Sequence, residues 1–260
     1  MIVLKIGGSV ITNKSQENTF KKQIMDQLSK EIKRSGKQIV IVHGAGSFGH
    51  ITAKKFGLQN GFHDVEQIKG FSLTHKMVQK LNSYVIESLY DHDIAAISLP
   101  PHSMLRLNNH KLKTFEFELF DKYLERGFFP VTFGDVVLDD SLGFSICSGD
   151  LLILALVKHF KPEKAIFVID EDGLYTKNPK INSDAELINS MSADELEKLT
   201  TSADSHADVT KGMKGKIDTI KNISNCGIDT ILLNGNKQDR LYNVLVGEDD
   251  TYTIVHGGQT

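Results

Sequence analysis

The 260-residue chain has no tryptophan, only two cysteines and five prolines, and no large excess of charge of either sign. Cys147 and Cys226 stand far apart with no C-x-x-C spacing. A chain of this length needs no disulfide scaffold, so both thiols are predicted to stay reduced, in a cytoplasmic setting. The apolar start, MIVLKIGGSV, is too short for a bilayer span and lacks a basic segment followed by a long apolar one, so it reads as a first strand. With 30 basic and 33 acidic residues the formal net charge is -3, which gives no electrostatic case for nucleic-acid or membrane binding. A small anion needs only a few local cations and remains open. Low-complexity linkers, long charge runs and repeats at solenoid spacing are also missing, which predicts one continuous domain over 1–260.

What is present is alternation. Short β-branched runs recur at Ile2–Ile6, Gln38–Val42, Ala95–Leu99, Phe129–Phe133, Asp135–Leu138, Lys164–Ile169, Thr230–Leu233 and Tyr252–Val255. Several are apolar on both faces, as in the central strands of a covered sheet. Helical stripes lie between them: Phe20, Ile24, Leu28 and Ile32, ending before Gly36; Met77, Leu81, Val85 and Leu89; and Met213, Ile217, Ile220 and Ile223, ending near Gly227. Ser192 with Glu195 has capping-box spacing. The polar stretch from His102 to Lys113 reads as loop or hairpin. Strands alternating with helices predict an α/β fold with a mainly parallel sheet.

Ligands of such sheets bind beyond the carboxyl ends of the strands, and five stretches fall there. KIGGS brings Lys5 inside an apolar strand, where an ammonium is costly to bury unpaired, together with glycines that let backbone N–H groups approach an anion. HGAGSFGH, His43 to His50, carries Gly44, Gly46 and Gly49 at G-x-G-x-x-G spacing. A dinucleotide site would need an acidic residue at a strand end about 20 residues on. Asp64 and Glu66 are near that distance but follow the polar stretch Gly57–His63, so NAD binding is disfavoured. His43 reads as a strand-end residue and His50 as a helix-start imidazole or an anion donor; their separation is not a usual zinc pair spacing.

ICSGD, before the apolar LLILALV, offers Gly149 as exposed backbone and Asp150 as a candidate N-cap. IDEDGLYTKNP makes a loop whose acids could hold a lysine or hydrated magnesium. DVTKGMKGKI sets Lys211, Lys214 and Lys216 at a helix start, where cations are unusual unless a polyanion is near. No Walker A motif exists, since the two Gly-Lys pairs precede Gln38 and Ile217; H-R-D and D-F-G are also absent. Lysines and glycine turns at several strand ends of one sheet suggest a site for multiple phosphates.

KIGGSVIT, VHGAGSFGH, GDVVLD, SGD, DEDGLYTKNP and DVTKGMKGK, in that order along nearly the whole chain, resemble the amino acid kinase superfamily. Lys14, together with a histidine closing the second glycine loop, is similar to its isopentenyl phosphate branch. The resemblance implies a three-layer αβα sandwich, a homodimer, and ATP with Mg2+ as phosphoryl donor, the metal having no direct protein ligand. It implies isopentenyl phosphate as acceptor in isoprenoid biosynthesis by the mevalonate route. Lys5, Lys14 and Lys216 would surround the transferring group, with Asp150 orienting them; Gly8, Ala45 and Gly212 would line the ATP phosphates. Gly44, Gly49, His50 and Gly149 would hold the acceptor phosphate. Asp170, Asp172, Gly173, Tyr175 and Lys177 would receive the nucleotide, so acceptor binding falls mainly before about residue 164 and nucleotide binding after it. The helix containing Phe71, Met77, Val78 and Leu81 is expected to line an apolar pocket, with packing in the core as the equal alternative.

The chain departs from the pattern at Ala45, where glycine is common and φ < 0 is required; at Lys211, where the pattern has glycine; and at Ile169 and Glu171. A phosphate monoester, with a second pKa about 6, needs no general base, and the chain offers lysines but no compelling base. A phosphonate kinase, a uridylate or carboxylate kinase, and a nucleotide-sensing domain are the competing readings; the last would be expected to lose the lysines.

Overall fold

The computed structural model describes residues 1–13, 16, 18–197 and 211–258, and for 211–214 the backbone alone. The main sheet has eight strands. From edge to edge they are Ser190–Met191, Thr253–Val255, Thr230–Asn234, Lys164–Ile169, Ile2–Ile6, Ile39–His43, Phe129–Phe133 and Ala96–Ser98. Every pairing is parallel except that of Thr230–Asn234 with Thr253–Val255. The β-branched runs of the sequence form this sheet, and helices cover both faces. The fold is therefore an αβα sandwich.

Period-two alternation decides which residue meets which layer. Ile2, Leu4 and Ile6 pack with Met25, Leu28, Ile32, Leu81, Val85, Leu89 and Leu241, from the helices Lys22–Ser35, Glu66–Tyr90 and Arg240–Val246. Val3 turns the other way, onto Leu152, Leu156, Ile217 and Ile220 of the helices Gly149–Phe160 and Lys211–Ser224. Lys5 shares Val3's face. The ammonium thus enters the layer where the helix Gly149–Phe160 begins.

The helix stops are those anticipated: Gly36 takes a left-handed φ of 63° after Lys22–Ser35, and Gly227 has φ 74° after Lys211–Ser224. Phe20 lies outside its helix, in a bridge with Thr12. The Ser192 hydroxyl accepts from the Glu195 backbone N–H at 3.3 Å while the Glu195 carboxylate accepts from the Ser192 N–H at 2.8 Å, a complete capping box.

One strand goes elsewhere. The Asp135–Leu138 run is a strand, Asp135–Asp139, but it leaves the main sheet after Gly134. It joins a four-stranded sheet of Lys111–Phe115, Leu105–Asn108, Asp135–Asp139 and Gly143–Cys147. The stretch read as loop or hairpin supplies two of those strands, preceded by the short helix Pro101–Met104. No described helix is long and apolar enough to cross a membrane.

Candidate active site

Parallel strands end on one edge, so the turns after Ile6, His43, Phe133 and Ile169 converge. Around them lies a cavity of about 410 Å³, lined among others by Lys5, Gly8, Gly44, Ala45, Gly49, His50, Gly149, Asp150, Asp170 and Lys216. These ten expected site residues therefore share one wall.

The glycines are required by contact between backbones. A Cβ on Gly8 would lie 2.5 Å from the Gly46 nitrogen, and one on Gly44 would lie 2.7 Å from the Gly8 nitrogen. Gly46 itself has φ 51°, a left-handed value that a β-carbon disfavours. Thr12 staples the two loops: its hydroxyl donates to the Gly8 carbonyl at 2.7 Å and accepts from the Ser47 N–H at 3.0 Å. Ala45 has φ -66°, so a Cβ at this commonly glycine position meets no backbone strain.

Lys5 is buried, and its Nζ donates to Asp150 Oδ1 at 2.6 Å. It does not reach solvent as a strand-edge lysine would. Its side chain passes over Gly149, where a Cβ would come within 3.0 Å of Lys5 Cε. The N-cap of the helix Gly149–Phe160 is Ser148, whose hydroxyl accepts from the Leu151 N–H at 3.1 Å; the candidate cap Asp150 instead occupies the first turn. There the helix dipole favours a carboxylate. Burial works to raise the Asp150 pKa, but Lys5 and Lys216 outweigh it and hold the group below the ordinary carboxylate range. Lys5 and Lys216 flank one ring, with Nζ atoms 5.4 Å and 5.8 Å from the Phe167 centroid.

His50 is exposed and lines the cavity, and desolvation there, followed by the charge of Lys5, lowers its pKa. His43 is fully buried, stacked on Phe133 at 5.1 Å with its Nε2 3.2 Å from Asn82 Oδ1; burial pushes it down to about 4. It is a neutral core residue at the strand end.

Beyond the phosphate-sized turns the wall becomes apolar, with Ile51, Ala53, Val78, Val136 and Ile146. Of the four residues expected on this wall, Val78 is the one that lines it. Leu81 belongs to the core on the main sheet with Met77 packed against it, and Phe71 packs behind the wall on Phe144. The helix Glu66–Tyr90 presents Thr74 and Val78, one i, i+4 row, to the cavity, and the neighbouring row Met77, Leu81, Val85 to the sheet. Sequence periodicity identifies both rows but not their partners. Ser47 Oγ and Thr74 Oγ1, both buried in this wall, have no hydrogen-bond partner among the described residues.

The remaining nucleotide-loop residues lie outside the wall. Asp172 accepts from Asn234 Nδ2 at 3.0 Å and pairs with Arg240. Gly173 packs against Thr253, Tyr175 lies in a two-stranded ribbon with Leu187, and Lys177 pairs with Asp184. Asp170 is in the wall, accepting the Ser9 hydroxyl at 3.0 Å. Gly212 is in the first turn of Lys211–Ser224, and Lys14 lies outside the described residues. Sequence reasoning missed Ser9, Thr12, Ser47 and Asp135; their only signal was membership of the KIGGSVIT, HGAGSFGH and GDVVLD stretches.

Residues 1–234 match the model of the amino acid kinase family. Isopentenyl phosphate kinase of Methanothermobacter thermautotrophicus is 37% identical, with 99% of each chain covered. That of Thermoplasma acidophilum is 34% identical over 94% of this chain and 96% of its own. A solved isopentenyl phosphate kinase superposes with a TM-score of 0.87 at 33% identity, covering 98% of this chain and 99% of the other. The chain belongs to the amino acid kinase family, on its isopentenyl phosphate kinase branch.

Proposed function

We propose that the chain transfers the γ-phosphoryl group of ATP to isopentenyl phosphate, giving isopentenyl diphosphate and ADP. The observation that carries this is one cavity with two chemical halves: glycine turns and two lysines at one end, and Ile51, Val78, Val136 and Ile146 at the other. The cationic half suits two phosphorylated groups and the apolar half a short hydrocarbon tail. A kinship at up to 37% identity with named isopentenyl phosphate kinases, and a TM-score of 0.78 to a solved substrate complex of one, support the same reading.

In this reading an oxygen of the acceptor phosphate attacks the γ-phosphorus as the bond to the β,γ-bridging oxygen breaks. The nucleophile is already ionised near neutral pH, so catalysis consists of in-line placement and neutralisation of charge. Lys5 and Lys216 neutralise the transferring group, and Asp150 holds Lys5 at a fixed point. Lys14 is assigned the same task. Gly8, Ala45 and Gly212 offer backbone to the ATP phosphates, and Gly44, Gly49 and Gly149 to the acceptor phosphate, with His50 donating to a non-attacking oxygen. Asp172, Gly173, Tyr175 and Lys177 shape the nucleotide end, which lies mainly after residue 164. Asp150 and Asp170 are already engaged by Lys5 and Ser9, so this donor set fits Mg2+ held by ATP phosphates and water. The ion would supply further neutralisation of phosphate charge. The kinship also implies a homodimer, which sedimentation of the full chain measures.

ADP release across isopentenyl phosphate, dimethylallyl phosphate, fosfomycin, UMP and acetylglutamate tests the assignment. Isopentenyl phosphate should give the highest kcat/KM. Turnover with another acceptor and none with isopentenyl phosphate would remove it.

A further inference from the structure

At the cavity wall, with Asp135 as its member in the lining, three separate elements bring together side chains to which the phosphoryl transfer above assigns no role. His75 comes from the helix Glu66–Tyr90, His102 from the short helix Pro101–Met104, and Asp135 from the start of the strand Asp135–Asp139. Their ligand atoms all lie within 4.8 Å of one another. Asp135 Oδ2 is 2.8 Å from His75 Nδ1 and 3.9 Å from His102 Nδ1, and the two imidazole centroids are 4.1 Å apart.

We propose that His75, His102 and Asp135 form a binding site for one divalent transition-metal ion of the zinc class. Two imidazoles and a carboxylate are the donor set of open zinc sites, which leave a fourth position for water. Bonds of about 2.0–2.1 Å to tetrahedral ligands place the ligand atoms about 3.3 Å apart. The 2.8 Å and 3.9 Å separations bracket that value and the third is within 4.8 Å, so side-chain shifts of up to about 1 Å convert the cluster to a coordination sphere.

Burial is graded in the sense a site needs. The Asp135 side chain has no exposed surface, His75 is a quarter exposed and His102 more than a third, so the anionic ligand is fixed and the ion has an access path through His102. Asp135 is oriented further by the Val136 N–H, which donates to its Oδ1 at 2.8 Å. Gln79 Nε2 lies 3.4 Å from His75 Nε2, and turning this amide over would set its Oε1 to accept the outer N–H of a ligating imidazole. The ion would tie three elements together at Asp135 of the cavity wall, and its ligands His75 and Asp135 are next in sequence to the wall residues Thr74 and Val136. Mg2+ prefers oxygen ligands and water, so the nucleotide's own cation would not compete for this donor set.

The test uses the full chain after chelator treatment, without nucleotide, titrated with Zn2+ by calorimetry and with Co2+ by visible absorption. One Zn2+ per chain should bind, Co2+ should give the intense bands of tetrahedral coordination, and millimolar Mg2+ should leave both unchanged. His102→Ala removes an exposed side chain and should weaken Zn2+ binding about 100-fold or more. His75→Gln should do the same, and Zn2+ should raise the melting temperature of the parent but of neither variant. His50→Ala should leave the binding intact, which separates this site from the phosphate cavity. The proposal is overturned by the lack of stoichiometric binding to the parent, by binding that survives His102→Ala and His75→Gln, or by loss of binding in His50→Ala.

Discussion

Asp150→Asn isolates the electrostatics of the site, because it removes a charge and almost no volume. The carboxylate stands 2.6 Å from Lys5 Nζ, and the Lys5 and Asp150 side chains are 7% and 24% exposed. Removing one partner of a fully buried pair costs about 3–5 kcal/mol. Asp150 borders an open cavity, so water recovers part of that, and a loss of about 2 kcal/mol is expected. For a chain of this size this lowers the melting temperature by about 4–8 °C. Binding should move the other way. With one anion fewer among Lys5 and Lys216, ATP should bind the variant as well as or better than the parent, and should restore more of its lost thermal stability.

Turnover should nevertheless fall about 100-fold, because Lys5 is no longer held where charge develops. The diagnostic is thus a fall in kcat with an unchanged or lower KM for ATP, read together with nucleotide-dependent melting curves. The pH dependence has a definite sign. The native pKa of Asp150 is depressed, so its contribution is present above the ordinary carboxylate pKa near 4 and is lost as pH falls through the native value. The stability gap between parent and variant should be constant near neutrality and close below about pH 4. Parent-like kcat and melting temperature in Asp150→Asn would refute the view that this pair organises the lysines.

Desolvation and Lys5 depress the His50 pKa, and an acceptor dianion beside the ring would oppose both effects. Acceptor binding near pH 7 should therefore take up protons at His50, seen as a buffer-dependent heat that shrinks in His50→Asn; His50→Ala should cost about 100-fold or more in kcat/KM. Gly8→Ala would drive a Cβ to 2.5 Å from the Gly46 nitrogen, so backbone must move and phosphate binding by calorimetry should be lost while a folded circular dichroism spectrum remains. Asp139 accepts from the Asn109 and His110 N–H groups at 2.8 Å and from Ser145 Oγ at 2.9 Å, which hold its carboxyl well below the usual range against the cost of burial. Asp139→Asn should lose on the order of 2–3 kcal/mol near neutral pH, and acid titration should narrow the difference below about pH 4.

Local contacts are the ones a sequence displays. Strands, helix stops and the Ser192–Glu195 capping box depend on residues a few places apart, and their patterns are printed along the chain. The assembly of KIGGS and HGAGSFGH into one site is also legible, because parallel strands must end on one edge of their sheet; SGD follows Gly143–Cys147 of the second sheet, so that rule does not place it. Lys5 marks the boundary. Alternation sets it on the opposite face from Leu4 and Ile6, which follows from the sequence alone. That it meets Asp150 there depends on which face the helix Gly149–Phe160 crosses.

The rest was hidden because it depends on tertiary choices. The strand Asp135–Asp139 has the same apolar pattern as its neighbours, and only the turn at Gly134 sends it to a second sheet. That departure carries Asp135 to His75 and His102, which belong to segments with no shared periodicity. Thr12 and Ser47 likewise meet only because Gly8 and Gly46 lack side chains at their point of contact. A stripe such as Met77, Leu81 and Val85 specifies that a helix face is buried and leaves open what buries it. Of the four expected residues Val78 lines the cavity together with Thr74 of its own row, while Met77 and Leu81, one row round the same helix, pack in the core. Strand ends can be placed from sequence because the sheet constrains them all together, whereas a helix's rotation about its own axis is fixed by the packing on both of its sides.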